Sequence, residues 1–164
     1  MDGSGSSQNG IVETTPAVDQ VSILPSLYGE IVIPQEVLAE LSDCDAPSEV
    51  LNWIQSRPLW LHVRHARITH DPALYQIDPG ERAAILLAQE ESDVLLLIDD
   101  AAGREEANRR GIPNTGTLGV LRAAAIRQLL DLPTALKRLS ETNFRVSQTL
   151  LTDLLAEDFE RKRY

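Results

Sequence analysis

The sequence predicts an α/β fold built on a parallel sheet. Three observations carry that prediction. Val94-Leu95-Leu96-Leu97-Ile98 is an unbroken apolar run that stops at Asp99-Asp100. Such a run suits a strand covered on both faces. Glu30 to Pro34 and Ile112 to Thr115 are further short strand candidates, and segments with helical apolar spacing separate all three. Strands alternating with helices imply parallel pairing through right-handed crossovers. Ligands of such sheets bind beyond the carboxyl ends of the strands. Asp99 and Asp100 therefore stand where a metal or phosphate site is expected.

Each element has a local reason. Met1 to Gly10 is rich in Gly, Ser and Asn and reads as a disordered tail, which leaves 11–164 as a single domain. Gly10 to Pro16 reads as a very short strand with its exit turn, and Ile23 to Tyr28 as a short helix. In Glu30-Ile31-Val32-Ile33-Pro34 the proline closes a strand and opens the next helix. Gln35 to Ser42 carries Val37, Leu38 and Leu41 on one face. Pro47 to Gln55 repeats the pattern with Val50, Leu51 and Ile54. Trp60 to Arg64 reads as an edge strand.

Asp78-Pro79-Gly80-Glu81 is a strong helix start, with Asp as N-cap, Pro in the first turn and Glu at N3. After the Val94 strand, a helix from about Ala102 to Arg110 stops at Gly111. Gly116-Thr117-Leu118-Gly119 opens another through Leu129. Pro133 to Ser140 is a further helix. The last starts after Ser147 and carries Leu150, Leu151, Leu154 and Leu155, which read as core or as a dimer seam.

Composition narrows the function classes. The formal net charge of −10 excludes a passive nucleic-acid coat, whose affinity comes from neutralising phosphates with Lys and Arg. It leaves room for a nuclease, because carboxylate-bound metal ions meet phosphate directly. No apolar run approaches the roughly 20 residues of a membrane span. No secretory signal is visible, so a cytoplasmic location is expected. Cys44 is the only cysteine, which excludes an internal disulfide and a cysteine-based zinc site.

Glu40, Glu81, Asp99 and Asp100 can gather at one end of the sheet, with Glu13 at the end of the first strand. Clustered carboxylates are hard ligands suited to Mg²⁺ or Mn²⁺, which activate water and stabilise displacement at phosphorus. Each acid also has a plainer reading. Glu40 suits a solvated helix face, Glu81 the capping partner of Asp78, and Asp100 the N-cap of the following helix. Asp99, directly adjoining the apolar run, is the hardest to dismiss. His62, His65 and His70 read as surface histidines, since their spacing fits no single helical face. Gly116 to Gly119 lacks the lysine of a phosphate-binding loop and reads as a tight strand-to-helix turn, or as a place where Thr117 or a helix N-terminal amide meets an anion. Arg104 reads as a solvated helix residue, or as one facing substrate phosphate.

In order, several of these segments resemble a PIN domain. They are Ile31-Val32-Ile33-Pro34 with Val37-Leu38-Ala39-Glu40-Leu41, then Asp78-Pro79-Gly80-Glu81-Arg82-Ala83-Ala84-Ile85, then Leu95 to Asp100 with Gly103-Arg104. Gly116 to Leu121 and Asn143 to Ser147 are similar to a VapC-related branch of that family. The resemblance covers about Ile11 to Asp158. It implies a three-layer α/β/α fold with a central parallel sheet. It also implies RNA cleavage with Mg²⁺ or Mn²⁺ at an acidic site of Glu40, Glu81 and Asp99, with Asp100 adjacent. Many members are paired with an antitoxin protein.

The chain departs from the family pattern at its front. Glu13-Thr14-Thr15-Pro16 stands where the family has Asp-Thr-Ser-Pro, and the segment from there to Leu24 is several residues short. Two readings follow. One is a metal-dependent endoribonuclease, the toxin of a toxin–antitoxin pair and a homodimer. The other is a catalytically inactive PIN-like scaffold that acts in dimerisation or partner binding.

Overall fold

The computed structural model describes residues 9–12, 21–67 and 70–163. Two compact units divide the chain, Met1–Gly116 and Thr117–Tyr164.

The first unit holds a five-stranded sheet in the order β3-β2-β1-β4-β5. The strands are β1 (Asn9–Val12), β2 (Ile31–Pro34), β3 (Leu61–Arg64), β4 (Val94–Leu97) and β5 (Asn114–Thr115). Every pairing is parallel. This is the α/β architecture that the alternation of strands and helices predicts. β1 begins at Asn9, just inside the stretch set aside as a tail. It is the central strand, pairing with β2 through Gly10↔Ile31 and with β4 through Asn9↔Val94 to Val12↔Leu97. The order reverses at β1, because the chain runs outward to β2 and β3 and then returns to β4 on the other flank. That reversal defines the crevice where parallel sheets take their ligands.

Burial explains the apolar runs. β2 is buried at all four positions, and Val94, Leu96 and Leu97 of β4 are buried too. Pro34 closes β2 and leads straight into α2 (Gln35–Leu41), as its fixed φ and missing N–H favour. α1 (Leu24–Tyr28) buries Leu24 and Leu27, and α3 (Ser48–Gln55) follows α2. β3 is an edge strand, as expected for Trp60 to Arg64. A 3₁₀ turn at Pro72–Leu74 precedes α4 (Pro79–Glu90), which packs across β1, β2 and β4 with Ala83, Ala84, Ile85, Leu87 and Ala88 buried. Ala84, Ile85, Leu87 and Ala88 join Val32, Leu74, Leu96, Ile98, Ala107 and Ile112 in the main core. α5 (Ala101–Arg109) ends at Gly111, whose φ of 68° is the left-handed conformation that glycine adopts without a Cβ penalty.

The second unit is helical: α6 (Thr117–Ile126), α7 (Leu132–Ser140) and α8 (Gln148–Lys162). The N-cap read from sequence at Ser147 is present, its Oγ accepting from Leu150 N at 3.2 Å. Leu154 is buried, but Leu150, Leu155 and Phe159 are exposed. Arg122 bonds Glu157, tying α6 to α8. Asp158 is buried and receives Lys162 at 2.8 Å and Arg161.

Burial alone pushes the Asp158 carboxyl up, but the hydrogen bonds from Lys162 and Arg161 outweigh it and hold the group below the usual range. A depressed folded-state pKa contributes stability above the unfolded pKa, about 3.9, and that stability is lost as pH falls through the lower folded value. The helical circular dichroism of the chain is therefore expected to hold from pH 7 to 5 and to fall at more acid pH. Asp158→Asn is expected to flatten that dependence, and an unchanged acid profile in the variant counts against the account.

Candidate active site

The site is built from chain turns at the carboxyl ends of β2 and β4. Ile98 N donates to Thr115 O at 2.8 Å, carrying the β4–β5 pairing one step beyond β4 and fixing the backbone just before Asp99. The two aspartates then divide. Asp100 Oδ2 accepts from Ala102 N at 2.8 Å and Gly103 N at 3.0 Å, so it is the N-cap of α5. The Asp99 side chain is 18% exposed, with Oδ1 3.7 Å from Arg104 Nη2. Arg104 does not simply solvate its helix. Its Nε donates to Ile98 O at 2.9 Å, which folds the guanidinium back over the end of β4.

Glu81 is not an exposed capping partner. Asp78 caps α4 through Gly80 N, while Glu81, 9% exposed, has Oε2 3.3 Å from the point where a Gly103 Cβ would stand. Glu40, an exposed residue on α2, lies against the first turn of α4. A Cβ on Gly80 would meet its two carboxylate oxygens at 2.8 and 2.9 Å. Glu40 and Glu81 thus lie beside the first turns of α4 and α5, where the positive end of the helix dipole favours negative charge.

Glycine is the common device. Gly80 admits Glu40, Gly103 admits Glu81 and the buried Ile98, and Gly116 admits Asp99 and Arg104. The Gly116 turn has a further role that neither sequence reading of it contains. Its missing Cβ would stand 1.9 Å from Arg104 Nη2 and 2.5 Å from Asp99 Oδ1. Both atoms are ends of flexible side chains, so Gly116→Ala is expected to fold with near-parent thermal stability while displacing the pair. Displacement by about 1 Å costs roughly a hundredfold in rate. Parent-level activity in this variant would show that the Asp99–Arg104 geometry is not used.

Glu40, Glu81 and Asp99 are therefore strung along one rim. Among the described residues, the one trio of ligand atoms all within 4.8 Å of each other is Asp43, Cys44 and Asp45. That trio is exposed, and Asp43 Oδ1 accepts from Asp45 N at 2.9 Å, as in a local turn. Glu13 lies outside the described residues. An open rim of hard oxygens fits Mg²⁺ or Mn²⁺ in kind, since Mg²⁺ keeps several waters and takes only one or two carboxylates.

His62 lies 3.7 Å from Glu30 on the β3 edge and joins no such trio. No helix among the described residues is long and apolar enough to cross a membrane.

A parallel sheet with a central first strand, and acids at its carboxyl end, defines an α/β protein of the PIN-like type. The model of the DUF3368 family, a PIN domain, matches residues 14–160, and the chain belongs to that family. No curated protein and no solved structure matches it. PIN domains are generally nucleases that act on RNA and use divalent metals.

Proposed function

We propose that this protein is a metal-dependent endoribonuclease, the toxin component of a cytoplasmic toxin–antitoxin pair. The observation that carries the reading is the rim of Glu40, Glu81 and Asp99, each carboxylate set against a glycine at the carboxyl end of a PIN-family sheet. We assign the ion, Mg²⁺ or Mn²⁺, to these three residues, with Glu13 as the candidate from the end of β1. Asp100 is engaged by α5, so we give it the helix rather than the ion. When bound, the ion supplies activated water and charge stabilisation at phosphorus.

The chain's own residues set the stage for that chemistry. Arg104 stands 3.7 Å from the Asp99 carboxylate and offsets part of its charge, and Glu81 is shielded from bulk water, which strengthens its field. The helix N-termini behind Glu40 and Glu81 ease the crowding of like charges. The VapC-like segments support the antitoxin pairing, and exposed Leu150, Leu155 and Phe159 on α8 support a homodimer.

The test is cleavage of a labelled RNA by purified protein. Cleavage is expected with Mn²⁺ or Mg²⁺, to stop on chelation and to return when the metal is restored. Protein that binds Mn²⁺ in calorimetry and cuts no RNA under any divalent ion refutes the nuclease reading. Protein that binds no metal and still self-associates would establish the scaffold instead.

A further inference from the structure

An open groove of about 590 Å³ runs from Asp99 along α5, lined by Ala101, Arg104, Glu105, Asn108 and Arg109. In a chain of net charge −10, it places two arginines beside the acidic rim. Arg104 is the better organised of the two. Nε is committed to Ile98 O, and Nη2 stands 3.7 Å from Asp99, beyond hydrogen-bond range. A guanidinium has five N–H donors in a fixed fork, so most of this one remains available, and the side chain is 42% exposed. Anchoring at Nε removes much of the rotational freedom that an arginine otherwise loses on binding an anion. Asn108 Oδ1 accepts from Asn114 at 2.7 Å, which leaves the Asn108 amide N–H groups as its free donors. Arg109 is 63% exposed and pairs with Glu106 at 3.0 Å, an acid that Arg110 already neutralises.

We propose that Arg104 binds the non-bridging oxygens of the RNA phosphodiester at the Asp99 rim, and that the strand continues along α5 past Asn108 and Arg109. The assignment rests on the endoribonuclease reading. It adds the direction of the strand and a donor on the phosphate that the carboxylates cannot supply. Arg104 also offsets the repulsion between Asp99 and the incoming phosphate. Glu105, on the groove wall, disfavours a second phosphate beside it and helps to keep the strand in register.

The experiment is steady-state cleavage of a short single-stranded oligoribonucleotide with Mn²⁺ over a range of salt, with Mn²⁺ calorimetry on the same proteins. Arg104→Ala is expected to raise KM at least tenfold. It should also reduce the slope of log kcat/KM against log salt by about 0.7, the value of one single-strand phosphate contact. Its Mn²⁺ affinity should equal or exceed the parent's, because a nearby cation has been removed. Arg104→Lys should recover the slope but not the KM, since a point charge lacks the fork. Arg109→Gln should also lower the slope.

If the parent cuts RNA and Arg104→Ala keeps the parental KM and slope, this assignment is overturned and the nuclease reading stands. A tenfold loss of Mn²⁺ affinity in Arg104→Ala also overturns it, because Arg104 then serves only to hold Asp99. If the parent cuts no RNA, the nuclease reading fails and the strand path fails with it.

Discussion

Asp99→Asn is expected to lower RNA cleavage by roughly a thousandfold without unfolding the protein. Asparagine has nearly the same shape, so the packing against Gly116 and the Ile98–Thr115 pairing are kept. What is lost is the negative charge. A Lewis-acid metal contributes several kcal/mol at the transition state, and each 1.36 kcal/mol is tenfold in rate. The substitution also leaves the Arg104 guanidinium without its charge partner, but that pair is open to solvent and worth at most about 1 kcal/mol. Thermal unfolding should therefore move little while Mn²⁺ affinity and cleavage collapse together. Glu40→Gln should behave in the same way with a smaller loss, since Glu40 is the most exposed of the three. Normal cleavage by both variants would remove the carboxylate rim from the mechanism.

Arg110→Ala is the counterpart in stability. Arg110 is 14% exposed and joins three segments: Nη2 reaches Asp71 at 2.7 Å, Nη1 reaches Gln89 at 2.8 Å, and Nε reaches Glu106 at 2.6 Å. These contacts tie the 3₁₀ turn, the end of α4 and α5 into one frame behind the site. The hydrogen bond from Arg110 holds the Asp71 carboxyl below its usual range. Glu106 is 4% exposed, so removing Arg110 leaves a buried carboxylate with Arg109 alone. Breaking a buried pair from one side costs about 3 kcal/mol, or roughly 6–12 °C for a chain of this size. The double variant Arg110→Met with Glu106→Leu should recover much of the loss, because neither charge is then stranded. A loss of less than about 0.5 kcal/mol in the unfolding free energy of Arg110→Ala, measured by urea titration, would show the network to be ornamental.

Much of this fold can be read from the chain because its signals are local. The apolar run at Val94, the Pro34 junction and the caps at Asp78, Asp100 and Ser147 depend on residues within a few positions of each other. The alternation of elements then leaves few topologies. The site is less legible because it depends on distant pairs. That Glu81 is buried against Gly103, and Glu40 set against Gly80, follows from how α2, α4 and α5 meet. No spacing rule contains that information. Arg104 illustrates the limit. On a helical wheel it is one of several charges, and only the end of β4 reveals the carbonyl to which it is bonded. Asp99 and Asp100 are adjacent and chemically identical: local capping gives Asp100 to a helix, while only tertiary structure sets Asp99 against Gly116 and Arg104.

The central position of β1 has a consequence for synthesis. Asn9 to Val12 are synthesised well before one of their two partners, β4, which begins at Val94. Until then one edge of the innermost strand has no neighbour, and closing so long a loop is slow. The acidic rim inherits the same timetable: Glu40 and Glu81 are made before Asp99, and Gly116 is made last. A half-made chain therefore holds some of its carboxylates without the strand that brings them to one crevice. An activity that depends on the whole rim would therefore arise only when the sheet closes.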